Sequence, residues 1–416
     1  MNNSKINISE SLKQYLPEKI FNLLIKCGTF ANNNSTNLFL VGGSLRDIIL
    51  NNAPNDIDLT LVNGDLKLVQ NLACHLGGEI IFKSQFFTYK LKIDNIVIDI
   101  TEARKEIYST PGSLPEIISK CSILDDLYRR DFTMNSMALS LNPSNFGEII
   151  DPFNGMNDIN NKLIKFIHDN SFSDDPTRIL RAIRYSIRLN FNIENQTLSK
   201  IHEFKFDINT ITGFRIKSEL LKILREESRT EILIYLDTLK ILDIIQPNIY
   251  INTKTKQIFE KFQFKTEYID DLLLIGIFTY NLNKKNIINF AKKLCLDSTY
   301  IKTLIDTHEI KHFIQRIKMD NLKNSQIYKY LSKYKNESII INRYFTENND
   351  SKKIDLYINK LKNTVSPLNG SEIISLGAKP GPIIKDIMNN LLYEKLDGNI
   401  QNKQEAELKA NEMLKK

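Results

Sequence analysis

LFLVGGSLRDIILNNAPNDIDLTLV, residues 38–62, sets an apolar run, a glycine pair, a helix start and a carboxylate pair within 25 residues. LFLV (38–41) reads as a short strand. Gly42 and Gly43 follow, where two missing side chains let the backbone approach a ligand closely. Ser44 stands where a helix begins, so its hydroxyl and the free amides of that first turn suit phosphate oxygens. Arg46 adds a cation. Asp56-Ile57-Asp58 is then predicted on a strand, with Asp56 and Asp58 on one face and Ile57 and Leu59 pointing into the core. Paired carboxylates beside a phosphate cradle form a site for Mg²⁺, which takes oxygen ligands from one or two carboxylates plus substrate phosphates. Two such ions activate an attacking hydroxyl and neutralise a leaving pyrophosphate. A glycine pair before a helix is common, and Asp-x-Asp can line a solvated edge. Their order and spacing together favour the metal-and-phosphate reading.

Outward from this segment, GEIIFKSQFFTYKLKI (78–93) and NIVIDIT (95–101) continue the strand signal. Turn residues separate them, so the first 150 residues are expected to form an α+β domain around one small mixed sheet. From residue 159 onward apolar residues recur at helical spacing, as in RILRAIRYSIRLNF (178–191) and RIKSELLKIL (215–224). Polar joints such as ENNDSKK (347–353) and NTVSPLNG (363–370) separate the helices. The predicted organisation is a head over 1–150, a helical neck over 151–240, a helical body over 241–362 and a helical tail over 363–416.

Four further segments carry polar residues in suggestive places. YRRDFTMNSMAL (128–139) reads as a charged turn entering a helix, with Phe132, Met134 and Met137 packed inward. IIDPFNGMNDINNKLIKFI (149–167) suggests a joint in which Asp151 caps a turn and Gly155 supplies flexibility. SFSDDPTRILRAIRY (171–185) places Asp174, Asp175 and Arg178 at a helix start. Asp175 and Arg178 are i and i+3, so both are expected on one face. There an acceptor beside a forked donor reads a base edge as another base does. An N-terminal cap with an intrahelical ion pair satisfies the same spacing. GFRIKSELLKIL (213–224) offers Arg215 and Glu219 for helix packing.

The pattern apolar-Gly-Gly, about a dozen residues, then Asp-apolar-Asp resembles the polymerase-β-type nucleotidyltransferases. VGGSLRDIILNNAPNDIDL is similar to the class II tRNA nucleotidyltransferases (CCA-adding enzymes) and bacterial poly(A) polymerases. The resemblance covers 38–224 and 367–406, while 225–366 reads only as helices. It implies that Asp56 and Asp58 are the catalytic, metal-binding pair and that Gly42, Gly43, Ser44 and Arg46 hold a triphosphate. RRDFTMN implies nucleotide and ribose contacts for Arg130, Asp131 and Asn135. Asp175 and Arg178 become a protein template for C and A, with Arg181 orienting them. Asp174 stands where that family carries Glu. Asp99 is either a third acidic group near the metals or structural. The implied activity is template-independent addition of CMP and AMP to a tRNA 3′ end, with CTP, ATP and Mg²⁺. Segment 100–126 lies where the family has a flexible loop governing the switch from C to A, and its presence leans toward A addition. A CC-adding or A-adding specialist, a poly(A) polymerase and a non-catalytic RNA-binding protein are the alternatives.

Composition agrees with a globular protein: 416 residues, 42% hydrophobic and 25% charged. No run approaches the roughly 20 apolar residues of a membrane span, and the N-terminus lacks a secretory core. A cytoplasmic protein without a membrane or evident protein partner is expected. The net charge is +7, and 251–362 holds 21 Lys and Arg against 12 Asp and Glu, which suits a phosphate backbone. A biased genome rich in Lys, Asn and Ile gives the same charge. Cys27, Cys74, Cys121 and Cys295 are widely spaced, so reduced and mostly buried thiols are expected. His308-Glu309-Ile-Lys-His312 fits H-E-x-x-H, but no third-ligand motif follows it and zinc is not expected.

Overall fold

The computed structural model describes residues 6–261, 270–317 and 319–415. Contacts divide the chain into two units: residues 1–220 with 238–244, and residues 221–237 with 245–416.

The first unit is α+β. Its main sheet is built from β1 (Asn37–Val41), β2 (Asp58–Val62), β3 (Glu79–Lys83), β4 (Thr88–Ile93) and β5 (Ile96–Glu102), closed by β8 (Ala138–Ser140) and β9 (Ile149–Ile150). A hairpin of β6 (Arg104–Ile107) and β7 (Glu116–Ser119) stands apart as its own two-stranded sheet. The main sheet has seven strands in the order β3-β4-β5-β2-β1-β8-β9, larger than the small sheet expected. It is mixed: β2 runs parallel to β5, and the other pairs are antiparallel.

Central strands are buried on both faces, which explains why LFLV and LTLV are continuous rather than alternating apolar runs. One helix, Glu18–Asn33, packs along β1. A cluster of Phe39, Val41, Val62, Ala103, Leu127 and Ala138 forms a second patch of core. This sandwich brings the C-terminal end of β1 and the N-terminal end of β2 side by side, with Leu40 opposite Leu59.

Past the sheet the unit turns helical. A parallel pair, β10 (Leu163–Ile164) with β11 (Asn192–Ile193), brackets the helix Thr177–Leu189. That short pair was not foreseen among the helices. RRDFTMN differs as well: a helix over Ile123–Tyr128 precedes it, its last three residues, Thr133–Asn135, form a 3₁₀ turn, and the chain leaves as β8 rather than as a helix. Phe132, Met134 and Met137 are nevertheless buried.

The second unit is all helical among the described residues. Helices Asp271–Thr279, Ser298–Arg316 and Asn336–Phe345 pack together. Two apolar clusters follow, one between 310 and 396 and one between 368 and 410. Of the cysteines only Cys27 is buried; Cys121 is half-buried, Cys74 and Cys295 are exposed, and all four are free thiols. They sit at polar helix ends rather than in core stripes, except Cys27. No helix among the described residues is long and apolar enough to cross a membrane.

Candidate active site

Gly42 sits at the turn from β1 into the helix Gly42–Ile49, with φ +67°, a left-handed conformation that costs other residues energy. A Cβ there would lie 3.0 Å from Arg130 Nη1 and 3.7 Å from Asp58 Oδ2. The glycine therefore lets the backbone close on a guanidinium and a carboxylate together.

Asp58 opens β2, but Asp56 lies in the bend before it. The expected strand alternation thus covers only Asp58, and Asp56 is set by the turn after Pro54. Ile57 and Leu59 are both buried as predicted. Ser44 is not left free for phosphate. Its hydroxyl donates to the Asp56 carbonyl and accepts from the Asp58 amide, both at 2.9 Å. It ties the carboxylate turn to the helix start. Among the described residues neither the Asp56 nor the Asp58 carboxylate accepts a hydrogen bond. Burial raises the Asp58 pKa; Arg130 opposes this, and Asp99 and Asp56 add to it. Asp99 lies beside Asp58 in register, and its carboxylate is taken by Lys90 at 2.6 and 2.7 Å.

The neighbouring guanidiniums are held by buried acids. Asp126, fully buried, accepts from Arg129 at 2.6 Å and from Arg130 at 2.8 Å. Burial pushes its pKa up, but the two arginines outweigh this and bring it to about 2. Asp131 accepts from its neighbour's amide at Phe132 (2.8 Å), from Asn135 (2.9 Å) and from Arg181 at 2.9 and 2.5 Å. It too is held near 2: burial raises it, and Arg181 and Asn135 prevail. Arg46 donates to Asn135 Oδ1 at 2.8 Å and pairs with Asp47.

Asp175 is not on a helix. It is extended, ahead of Pro176, and the helix begins at Thr177. The i,i+3 face therefore does not exist, because the helix starts at Thr177, two residues after Asp175, with Pro176 between them. The two side chains are also not paired. Asp175 Oδ1 accepts from the Thr177 amide and hydroxyl and from Arg215 Nη2 at 2.6 Å. Arg178 is buried and donates to the Ser171 hydroxyl (2.7 Å) and the Arg129 carbonyl (2.7 Å). Arg215, expected only to pack, is thus a direct partner of Asp175. Its other branch donates to the Gly112 carbonyl at the tip of the 104–119 hairpin, 3.0 Å away. Glu219 does lie within the helix stack, near Arg181 and Arg184.

Many of these groups line one cavity of about 520 Å³, whereas Asp99, Asp126, Arg215 and Glu219 stand behind its wall. Its lining includes Gly42, Gly43, Ser44, Arg46, Asp56, Asp58, Arg130, Asp131, Asn135, Asp175, Arg178 and Arg181. It also includes residues that the sequence reading passed over: Glu106 and Tyr108 from the hairpin, Arg129, Tyr185 and Arg188. Arg178, Arg181, Tyr185 and Arg188 are spaced 3, 4 and 3 apart, one helical face, so the pattern was available. Tyr185 carries Arg46, Arg181, Arg184 and Arg188 at 4.8–5.4 Å from its ring centre. Six arginines and six acids line the cavity, so committing Asp56 and Asp58 to cations leaves positive charge in excess for phosphates.

Within segment 100–126, residues 104–119 form a hairpin whose tip amide, Gly112, donates to the Ser173 carbonyl at 3.0 Å. Gly155 is not a flexible joint. Its amide donates to Asp151 Oδ1, and a Cβ would fall 2.2 Å from the Thr133 carbonyl, so close packing requires it.

Residues 38–165 match the poly A polymerase head domain, and residues 190–251 match the "Probable RNA and SrmB- binding site of polymerase A". The A-adding tRNA nucleotidyltransferase of Halalkalibacterium halodurans is 29% identical over 409 residues, 96% of this chain and 94% of that one. Over nearly its whole length the chain is similar to the tRNA nucleotidyltransferases, and its head to that of poly A polymerases. A solved CCA-adding enzyme superposes on this chain with a TM-score of 0.81, 27% identity and coverage of 96% and 97%. The Thermotoga maritima CCA-adding enzyme complexed with tRNA gives 0.77, 26% identity and coverage of 98% and 99%. Solved CCA-adding enzymes with ATP and with CTP give 0.78 and 0.80 at 26% and 25% identity, covering 96% and 99% of the chain and 95% and 99% of theirs. These alignments carry the similarity through 225–366, where the sequence had read only as helices.

The histidine motif has a different setting. His308 and His312 share a face of the helix Ser298–Arg316 with ring centres 4.4 Å apart, and Glu309 pairs with Lys284. Among the described residues no group of three or more His, Cys, Asp or Glu is arranged to hold a metal.

Proposed function

We propose that this nucleotidyltransferase adds CMP and AMP to the 3′ end of tRNA, building or repairing CCA from CTP and ATP. The observation that carries it is the single cavity joining an unbonded carboxylate pair, a glycine turn and fixed guanidiniums, with Asp175 and Arg178 separately held in its lining. In the reaction the RNA 3′-hydroxyl oxygen bonds to the α-phosphorus, the bond to the β-phosphate oxygen breaks, and pyrophosphate leaves. An A-adding or CC-adding specialist performs the same step with fewer substrates, and poly(A) polymerase repeats it with ATP alone.

Asp56 and Asp58 fit Mg²⁺: both are hard oxygen donors, unbonded by protein, and would hold it at a cavity with room for phosphate oxygens as further ligands. When bound, Mg²⁺ supplies charge neutralisation on the triphosphate and lowers the pKa of the attacking hydroxyl. Arg130, braced by Asp126, and Arg46, braced by Asp47, offer preset cations that need no reorganisation as charge develops. Asp131 and Asn135, both in the cavity lining, are assigned to the ribose in this reading. Asp175 Oδ2 accepts no bond from the described residues and suits the amino group of C or A. Arg178 spends its two terminal nitrogens on Ser171 and Arg129, which fixes its plane and leaves Nε to donate to the base. Arg181 holds Asp131 and thereby the wall beside them.

In this reading residues 1–150 catalyse, 151–240 select the base, and 241–362 with 363–416 contact RNA, in keeping with the basic charge of 251–362. The cytoplasm, where tRNA is matured, is the proposed location.

The test is incorporation of labelled CMP and AMP into tRNA transcripts ending before CCA, after C and after CC. Asp56→Ala and Asp58→Ala each abolish incorporation while tRNA binding persists. Residual CMP addition by the double variant would overturn the assignment.

A further inference from the structure

Two aromatic side chains line the catalytic cavity: Tyr108, which directly follows β6, and Tyr185, on the helix Thr177–Leu189. They differ in what already covers them. Arg46, Arg181, Arg184 and Arg188 all lie against the Tyr185 ring. Tyr108 is half-buried, and among the described residues neither a cation nor a second aromatic stacks on its ring. It is the aromatic surface of the cavity still open to a ligand.

That ring is also held in place. The Tyr108 hydroxyl donates to Glu106 Oε2 at 2.8 Å. The other oxygen, Glu106 Oε1, accepts from Arg104 at 3.0 and 2.9 Å and from Arg129 at 3.2 Å. Burial raises the Glu106 pKa, but Arg129 and Arg104 outweigh this and keep it below the usual carboxylate value, so the acceptor is an anion. A tyrosine side chain has few torsions to lose, and with its hydroxyl tied the ring is set before a ligand arrives. Arg129 serves both sides of the site. Its guanidinium holds Glu106, and its carbonyl accepts from Arg178 Nη2 at 2.7 Å. The charges of Arg178 and Asp175 both act on the Tyr108 hydroxyl, which places the ring beside the two groups assigned to the base edge.

We infer that Tyr108 is a substrate-binding residue on whose ring the incoming base stacks while Asp175 and Arg178 read its edge. The inference rests on the nucleotide-adding reading of the cavity and supplies what that reading lacks: hydrogen bonds fix the edge of a base but leave its face uncovered. An unpaired base on an aromatic side chain gains about 1–3 kcal/mol, and every base has a π-face, so one residue serves both C and A. A purine overlaps the ring over more area than a pyrimidine, so the contact favours ATP over CTP.

The experiment measures binding of ATP and of CTP to the full chain with Mg²⁺ and no RNA, so no incorporation takes place. Tyr108→Leu weakens ATP by about 20-fold and CTP by about fivefold, in the lower half of the range for one stacked base. Tyr108→Phe, which keeps the ring and loses only the bond to Glu106, recovers most of that affinity. The chain contains no tryptophan, so Tyr108→Trp introduces a single fluorophore at this position. Its emission is quenched by ATP and by CTP, and not by inorganic tripolyphosphate, which has no base. Quenching that needs a tRNA transcript ending in CC and ignores free nucleotide would put an RNA base on the ring and overturn the inference. Binding to Tyr108→Leu as tight as to wild type would overturn it as well, while leaving the nucleotide-adding reading intact. Failure of the wild-type chain to bind either nucleotide would overturn both.

Discussion

Replacing Asp131 by asparagine isolates the buried charge on which one wall of the catalytic cavity depends. The carboxylate accepts from Phe132, Asn135 and Arg181, and its side chain is only 8% exposed. An amide of the same shape keeps one acceptor oxygen and turns an NH₂ toward donors on the other side. The carboxyl sits near pKa 2 against a usual 3.8, although burial alone would raise it, so Arg181 and its companions favour the ionised form. That difference corresponds to roughly 2–3 kcal/mol. Removing one partner of a buried pair costs about 3–5 kcal/mol, so a loss of about 3 kcal/mol is expected. For a unit of some 200 residues this lowers the melting temperature by about 6–12 °C. The sign with pH follows from the depressed pKa. Stabilisation is complete above the unfolded value and is lost as pH falls through the folded one. The gap between wild type and variant should therefore be full at neutral pH and close between about pH 4 and 2. Circular dichroism melts of both proteins across that range provide the assay, with CMP incorporation measured alongside. Because Arg181, Asn135 and Arg46 are linked to this carboxylate, incorporation should fall at least about 100-fold, the loss of a charge-assisted hydrogen bond or more. A variant melting within about 1 °C of wild type, or a gap indifferent to pH, would refute the reasoning.

Gly155→Ala forces a Cβ to within 2.2 Å of the Thr133 carbonyl, a backbone atom, and should cost about 1–3 kcal/mol in thermal unfolding. His168 is held neutral, with a pKa near 4, by burial and by Arg178. Its contribution to stability is complete above its usual value and declines as pH falls through 4, so His168→Phe should flatten melting temperature between about pH 6.5 and 4. Arg215→Met removes a charged donor from Asp175 Oδ1 and the donor to the Gly112 carbonyl together, leaving Asp175 held by Thr177 alone, and should raise misincorporation of UMP or GMP about tenfold, the loss of roughly one hydrogen bond to a charged group. Chelation of divalent cations should stop incorporation reversibly, with Mg²⁺ restoring it.

The head's strands, its glycine turn and its carboxylate pair were legible because each is a local signal. Apolar runs flanked by Gly, Asn and Asp mark strands whatever surrounds them, and Gly42 announces a backbone position that side chains avoid. Other features were hidden by distance along the chain. Asp126, which steadies Arg129 and Arg130, looks like one more acid in a helix until it is seen fully buried. Asp175 and Arg178 were placed on one helical face because spacing alone cannot show that Pro176 delays the helix start.

By itself the sequence determined the α+β head, the helical remainder and the glycine turn beside a carboxylate pair, since periodicity and side-chain chemistry are carried by neighbouring residues. Only the tertiary structure decided which of those groups remain unengaged. Ser44 is consumed in bracing the Asp56–Asp58 turn, Asp99 is taken by Lys90, and Arg215 crosses 40 positions to hold Asp175. The physical reason is that hydrogen-bond and charge partners are chosen by proximity in space, which long loops and sheet register set. Residues far apart in the chain therefore compete for the same donor or acceptor.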